Sequence, residues 1–402
     1  MIGPLVIFDK SFLQMLNAEE VFEFSLLFNP VGTPLLVREI IADLRKDPSS
    51  SKRLPIDVVR ELARKMSQTH GVQPADFRKL TIANLWGSDI PMFGQVPVDP
   101  AAPNVNVSSD GKILLYDSVP EQHMWDRWAA GEFSTEDDEV ASAWRRGLAK
   151  VDLRAVGDRW KTFSQERLGD ASNMADLIVK VDAILSGPKI EDQLEFLGIV
   201  LAFVRAPEDA KALAYKLRLE ERYTRIRDFA PYANSVLKLY LCFIGGLARG
   251  FLGPRPSHYV DLQYLFYAPF CMVFVSGDKF HRELWPATAG INTFIWGADL
   301  KRDLAMRVAI KKQMTEEQLR AHGTKHRFYP IEIEGSITNE LWRRYMRPEE
   351  EVLIPRQEAQ TIDELEPEIR DTIKRAMRDF DAREQVLTWR EQDRQSSLAD
   401  ET

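Results

Sequence analysis

Four acidic side chains, far apart in the chain, are of the type and in the settings needed to share one cation. Asp9 closes the apolar run Pro4-Leu5-Val6-Ile7-Phe8, and Asp278 closes a second one, Cys271-Met272-Val273-Phe274-Val275-Ser276-Gly277. Glu39 lies in Pro34-Leu35-Leu36-Val37-Arg38, and Asp261 follows Ser257-His258-Tyr259-Val260. A carboxylate just past a buried strand stands at the strand's carboxyl end, where open α/β sheets place their ligands. Two strand-end carboxylates and two on helices could meet there. Carboxylates gathered in this way repel one another unless a cation neutralises them, and hard oxygen donors suit Mg²⁺ or Mn²⁺. Such an ion lowers the pKa of the attacking water itself, so the chemistry needs no histidine base.

Each of these residues also has a plainer reading. Asp43 lies four residues after Glu39, on the same helical face, and could replace or join it. Either could instead be a solvated charge paired with Arg38 or Lys46. Asp261 could serve only as a helix N-cap, a position Asp favours. Lys10 and Lys279 adjoin two candidate ligands, as charge partners or as contacts to a substrate phosphate. His281 and His258 sit three residues from Asp278 and Asp261, and their plainer role is capping or surface.

The elements that would position these groups follow from periodicity. Residues 5–8 and 273–276 have the short, β-branched apolar pattern of buried strands, and Thr293 to Trp296 gives another. Helices are expected over 18–28 and about 35–46. Between 55 and 230 the pattern is mostly helical, over Ile56–Met66, Asp137–Trp160, Met174–Leu185, Ile190–Val204 and Pro207–Ile226. A proline-rich break near 91–120 interrupts it, with a turn at Ser109 to Lys112 feeding one short strand at 113–116. Pro231 opens a helix that ends at Gly245-Gly246 or at Gly250. Residues 299–322 form a charged helical region with Lys301, Arg302, Arg307, Lys311, Lys312 and Arg320, whose default is a solvated face rather than a nucleic-acid groove. Trp86, Trp125, Trp128, Trp144 and Trp160 fall at core-like helical positions. From about 349 the chain is strongly charged, helical by pattern, with a disordered end.

The segment from Asp261 to His281, with its Ser276-Gly277-Asp278-Lys279, and the first motif Asp9-Lys10-Ser11 resemble the PIN and PIN-like nuclease superfamily. Lys10 stands where that family usually has Ser or Thr, while Ser11 and Ser276 match polar positions that support the acidic residues. The resemblance covers roughly residues 3–46 and 231–297. It implies a PIN-like three-layer α/β core with a mostly parallel sheet, built from residues 1–47 and 231–298. Residues 48–230 would then be a mainly helical insertion, and 299–402 a charged helical C-terminal extension. It implies Asp9, Glu39, Asp261 and Asp278 as ligands of Mg²⁺ or Mn²⁺, and a nucleic-acid substrate, RNA rather than DNA.

Composition sets the outer bounds. At 402 residues, 45% apolar and 28% charged, the chain has the makeup of a soluble globular protein. A net charge of −8 supplies no global field for nucleic acid, so such binding needs a local basic patch. Cys242 and Cys271, both in apolar surroundings, are expected to be buried thiols, not a disulfide framework or a zinc site. No signal segment and no membrane span is expected, which places the protein in the cytoplasm. The leading expectation is a metal-dependent nuclease. The alternative is a catalytically weak PIN-like scaffold that binds a protein partner through the insertion or the C-terminal tail. An Asp-nucleophile phosphatase ranks below both, because its fold needs a second Asp where Ser11 stands.

Overall fold

A computed structural model describes residues 3–346 except 48–52, 70–72, 93, 98–104, 108–112, 116–119, 221–224, 289–291 and 326–328. The loop expected at 48–52, the turn at 109–112 and everything expected from 349 onward lie outside these residues.

Leu5–Phe8 (β1) is a buried strand, followed by Asn29–Val31 (β2). Val105–Val107 (β3) and Ile113–Leu115 (β4) pair antiparallel as a separate hairpin, so the short strand expected there has a partner the pattern did not suggest. Val273–Ser276 (β5) and Thr293–Trp296 (β6) complete the main sheet. That sheet has four strands in the order β2-β1-β5-β6, all parallel. Val6 lies opposite Pro30 on one side and Val273 on the other. β1 and all of β5 but its last residue, Ser276, are apolar because a parallel sheet is covered on both faces. The protein is therefore of the α/β class, mostly helical, with its sheet assembled from both ends of the described chain.

The helices of the first half begin where the caps require. Asn17 and Glu20 form a reciprocal capping box at the start of Ala18–Leu27. Thr33 caps Pro34–Ile41, whose proline sits in the first turn. The helix expected over 35–46 tightens into a 3₁₀ turn, Ala42–Arg45.

The intervening region is mostly helical, but boundaries differ from those expected: the helix expected over Pro207–Ile226 runs Glu208–Glu220, and Ile226 opens a separate short helix, Ile226–Phe229. Asp137–Trp160 divides into Thr135–Ala149 and Leu153–Arg159, because the Asp152 side chain caps the second helix. Helix Pro231–Ala248 runs straight through Gly245-Gly246. These glycines do not end it. A Cβ on Gly245 would meet Leu168 and Leu177 at 3.2 Å, and one on Gly246 would meet Leu252 at 2.8 Å, so they let neighbouring segments approach closely. Trp125 and Trp128 are core residues, whereas Trp86 is 43% exposed, against expectation, with its indole N–H donating to the Ala210 carbonyl.

The expected charged extension begins inside the compact unit. Helix Gly297–Gln313 buries Leu300 and Leu304 against the first-half helices. Its basic side chains are not a free face: Lys301 pairs with Glu20 at 2.8 Å, Lys311 with Glu23 at 2.5 Å and Lys312 with Glu19 at 2.6 Å. Arg307 is buried, bonded to Asp303 and to Ser336. The helix is amphipathic, with Arg302 and Lys312 on its exposed side, so the expected solvated face is present but laced with ion pairs. Farther on, Trp342 of helix Ile337–Tyr345 donates to the Leu27 carbonyl at 2.9 Å. Among the described residues no helix is long and apolar enough to cross a membrane.

Candidate active site

The strand order places the switch point between β1 and β5, since the chain winds outward from β1 to β2 on one side and from β5 to β6 on the other. Ligand crevices open at such switch points, outside the carboxyl ends of the strands. Asp9 directly follows β1, and Asp278 follows β5 by two residues. The Asp9 amide donates to the Val275 carbonyl, which ties the two strand ends together.

Asp9 is 4% exposed and caps helix Lys10–Met15 through the Phe12 amide at 2.9 Å. Ser11 Oγ lies 2.8 Å from both of its oxygens, and Ser276 Oγ donates to Oδ2 at 2.6 Å. Both serines thus support the first acidic residue. Gly277, between Ser276 and Asp278, donates its amide to Ser11 Oγ. A Cβ there would lie 2.1 Å from the Met15 methyl carbon, so a glycine is what allows this close approach.

His281 is fully buried beneath the crevice, not at the surface as its spacing suggested. Its Nε2 lies 2.8 Å from the Asp261 carbonyl oxygen, which can only accept, so Nε2 carries a proton. Its Nδ1 lies 2.7 Å from Ser276 Oγ and 3.4 Å from Asp9 Oδ2. Ser276 gives its single hydroxyl proton to Asp9, so Nδ1 must donate as well. The ring is an imidazolium. Burial works against that charge, but the bond and charge of Asp9, with further help from Asp261, push the His281 pKa up to about 9. Burial would raise the Asp9 carboxyl, yet His281, Ser276 and the Phe12 amide together hold it below the usual range.

Lys10 projects from the same short helix onto Glu39 and Asp43. Its Nζ is 3.2 Å from Glu39 Oε1 and 3.2 Å from each Asp43 oxygen. Arg145, from helix Thr135–Ala149, holds Asp43 Oδ1 at 2.9 Å, and Tyr264 donates to Glu39 Oε2 at 2.8 Å. Glu39 and Asp43 are therefore not surface charges paired with Arg38 or Lys46. Arg38 instead reaches Asp76. The role of Lys10 is that of a charge partner. Burial alone would lower its pKa, but Glu39 and Asp43 hold it above the usual lysine value. Arg145 was not among the expected site residues, since nothing in the local sequence links position 145 to position 43.

Asp261 lies one turn inside helix Ser257–Leu265, which begins after Pro256, so it does not act as the helix N-cap. Its carboxylate accepts no hydrogen bond among the described residues. Burial pushes its pKa up to about 8; His281 opposes the rise, while Asp278, Glu39 and Asp9 add to it. Asp278, Glu39 and Asp9 are thus each close enough for their charge to reach Asp261. Asp278 is partly exposed and caps helix Lys279–Leu284 through the Phe280 amide at 2.8 Å. Lys279 is exposed and pairs with no carboxylate among the described residues. His258 Nδ1 donates to the Gly253 carbonyl at 2.7 Å, and its ring stacks on Phe280 with centroids 4.8 Å apart.

Asp261 and Asp278 offer the hard oxygen donors that Mg²⁺ or Mn²⁺ prefers, but two carboxylates alone do not make a metal site. No group of three or more His, Cys, Asp or Glu among the described residues stands in a metal-holding arrangement. Cys242 and Cys271 are buried free thiols, with pKa values pushed up to about 12 by burial. No family model matches the chain, and neither curated proteins nor solved structures match it.

Proposed function

We propose that the protein is a metal-dependent phosphodiester hydrolase of the PIN-like type, acting on nucleic acid, RNA before DNA. The observation that carries this reading is that Asp9 and Asp278 stand at neighbouring strand ends at the switch point of a parallel sheet, with Glu39 and Asp261 near enough for their charges to bear on one another. Asp261 and Asp278 would hold Mg²⁺ or Mn²⁺, with Asp9 and Glu39 completing the acidic surround. What the cation supplies when bound is a water of lowered pKa and an offset for charge gathering on the scissile phosphate. The chain's own residues do the positioning. Ser11, Ser276 and His281 fix the Asp9 carboxylate, and Tyr264 fixes Glu39. Exposed Lys279, next to Asp278, is placed to meet a substrate phosphate. The protein would work in the cytoplasm.

A second reading, a catalytically weak PIN-like module that binds a partner through its helical insertion or C-terminal tail, is favoured by one observation. Lys10, Arg145 and His281 already neutralise much of the acidic cluster from within. The discriminating experiment incubates labelled single-stranded and structured RNA and DNA with the protein, with and without Mn²⁺, for wild type and Asp278→Asn. Mn²⁺-dependent cleavage lost in the variant supports the hydrolase. Absence of cleavage by the wild type on every substrate moves the assignment to the binding module.

A further inference from the structure

The geometry points to a nucleobase-stacking site at Trp296 and Arg282, beside Asp278, that takes an unpaired nucleotide by its base and its flanking phosphates. The site rests on the nucleic-acid reading above and adds to it the residues that grip the strand.

Trp296 ends β6, in register with Ser276 of β5. The next residue, Gly297, packs on the turn after β5, where a Cβ on it would lie 3.3 Å from the Gly277 amide nitrogen. The indole therefore stands at the carboxyl edge of the sheet, one strand over from Asp278. Side chains alternate along a strand, so Trp296 shares a face with Phe294. Phe294 belongs to a packed aromatic row: its ring centroid is 6.2 Å from that of Phe274 and 5.6 Å from that of Trp285. Trp296 carries this row past the core. Phe294 and Ile295 pack against the buried cluster, and Trp296 does not. The group over its ring is the Arg282 guanidinium, 5.0 Å from the centroid.

Charge sets the class of ligand. Arg282 and Lys279 are exposed, three residues apart on helix Lys279–Leu284, and so lie on one side of it. Neither pairs with a carboxylate among the described residues, whereas Lys301, Lys311 and Lys312 each pair with a glutamate. A partly exposed π face bordered by two unpaired cations matches a base with a phosphate on either side. A polyanion without rings would use the cations and leave the indole idle. A base inside a duplex is already stacked on both faces, so the site selects an unpaired one.

The test measures, by fluorescence anisotropy in Ca²⁺, binding of the full-length protein to a labelled single-stranded oligouridylate, to an abasic strand of equal length and to duplex RNA. Wild type should prefer the oligouridylate to the abasic strand by about 10-fold. Trp296→Leu should remove this preference and leave the abasic and duplex affinities unchanged, Trp296→Phe should keep most of it, and Arg282→Gln should weaken both single strands. Circular dichroism checks folding, and Trp296→Thr, which suits a strand, replaces Trp296→Leu should that variant not fold. Equal wild-type affinity for the two single strands, or a preference that survives in Trp296→Leu, overturns the stacking site and leaves the nucleic-acid reading standing. An equal loss on all three ligands in Trp296→Leu marks a structural role and overturns the site as well. No binding by the wild type to any of these strands or their DNA counterparts overturns both.

Discussion

The two sides of the crevice hold the same kind of side chain in opposite electrostatic states. On the β1 side, Asp9, Glu39 and Asp43 are surrounded by His281, Lys10 and Arg145, and each carboxylate is fixed by several donors. On the β5 side, Asp278 has a single helix-capping bond, and Asp261 accepts none among the described residues, its carboxyl raised by burial, against the pull of His281 and with the help of Asp278, Glu39 and Asp9. The difference teaches that an acidic cluster is not one object. Its closed side is part of the fold's internal ion pairing, and its open side is where an external cation would gain most. Aspartates that look alike at two strand ends should therefore answer differently to the same substitution.

The largest effect should come from the closed side. Asp9→Asn strands a buried imidazolium, and removing one partner of a buried pair costs about 3–5 kcal/mol. Urea unfolding at pH 7 should show a loss on the order of 3 kcal/mol, whereas Asp278→Asn, which can still cap its helix, should change stability by less than about 1 kcal/mol. Equal losses in the two variants would erase the contrast between the sides. The same pair sets a pH window. His281 is raised to about 9, so its contribution is whole below about 6.5 and disappears as pH rises through 9. Asp9 is lowered, so its contribution is whole above the ordinary carboxyl range and is lost as pH falls from that range through the lowered value.

On the open side the largest expected loss is catalytic. Asp278→Asn should lower Mn²⁺-dependent cleavage by about 100-fold, the equivalent of roughly 2.7 kcal/mol of transition-state stabilisation. A variant that cleaves at the wild-type rate would remove Asp278 from the site.

A smaller effect concerns Asp261. Its carboxyl is raised to about 8, so in metal-free protein the native state holds a proton that the unfolded chain has released, and stability falls as pH rises toward 8. Asp261→Asn should flatten that decline, gaining stability at pH 8–9 and little near pH 4. For the wild type, Mn²⁺ affinity should climb between about pH 6 and 9, with about one proton released per ion near neutrality. Calorimetry in buffers of different ionisation enthalpy would detect the proton, and pH-independent binding would contradict the open-side assignment.

The smallest effect separates two kinds of lysine. Exposed Lys279 should contribute to polyanion binding, so Lys279→Glu should weaken RNA affinity in Ca²⁺ and reduce the salt slope by about one unit. Lys311 and Lys312 are tied to Glu23 and Glu19, so reversing them should lower stability and leave the slope alone. The opposite pattern would return the basic helix to a binding role.

Much of this was legible in the linear chain. Strands β1, β5 and β6 announced themselves as short β-branched runs, and Pro231 marked a helix start because a proline acts within a few residues. The same locality let Asp9 and Asp278 be recognised as strand-end carboxylates. What the sequence could not determine is which charge meets which. Lys10 reaching Asp43 across 33 positions, and Arg145 reaching it across 102, depend on how helices pack, and no local pattern encodes that. His281 looked like a capping residue because its spacing from Asp278 is local, yet the sheet buries it under Asp9, 272 positions away. The basic helix looked free because its acidic partners lie nearly three hundred residues earlier. Strand ends, caps and apolar periods are short-range consequences of the chain's own chemistry. The charge state of each carboxylate is a long-range property, and only the tertiary structure decided it, because Coulomb energy and desolvation depend on distance in space rather than on separation along the chain.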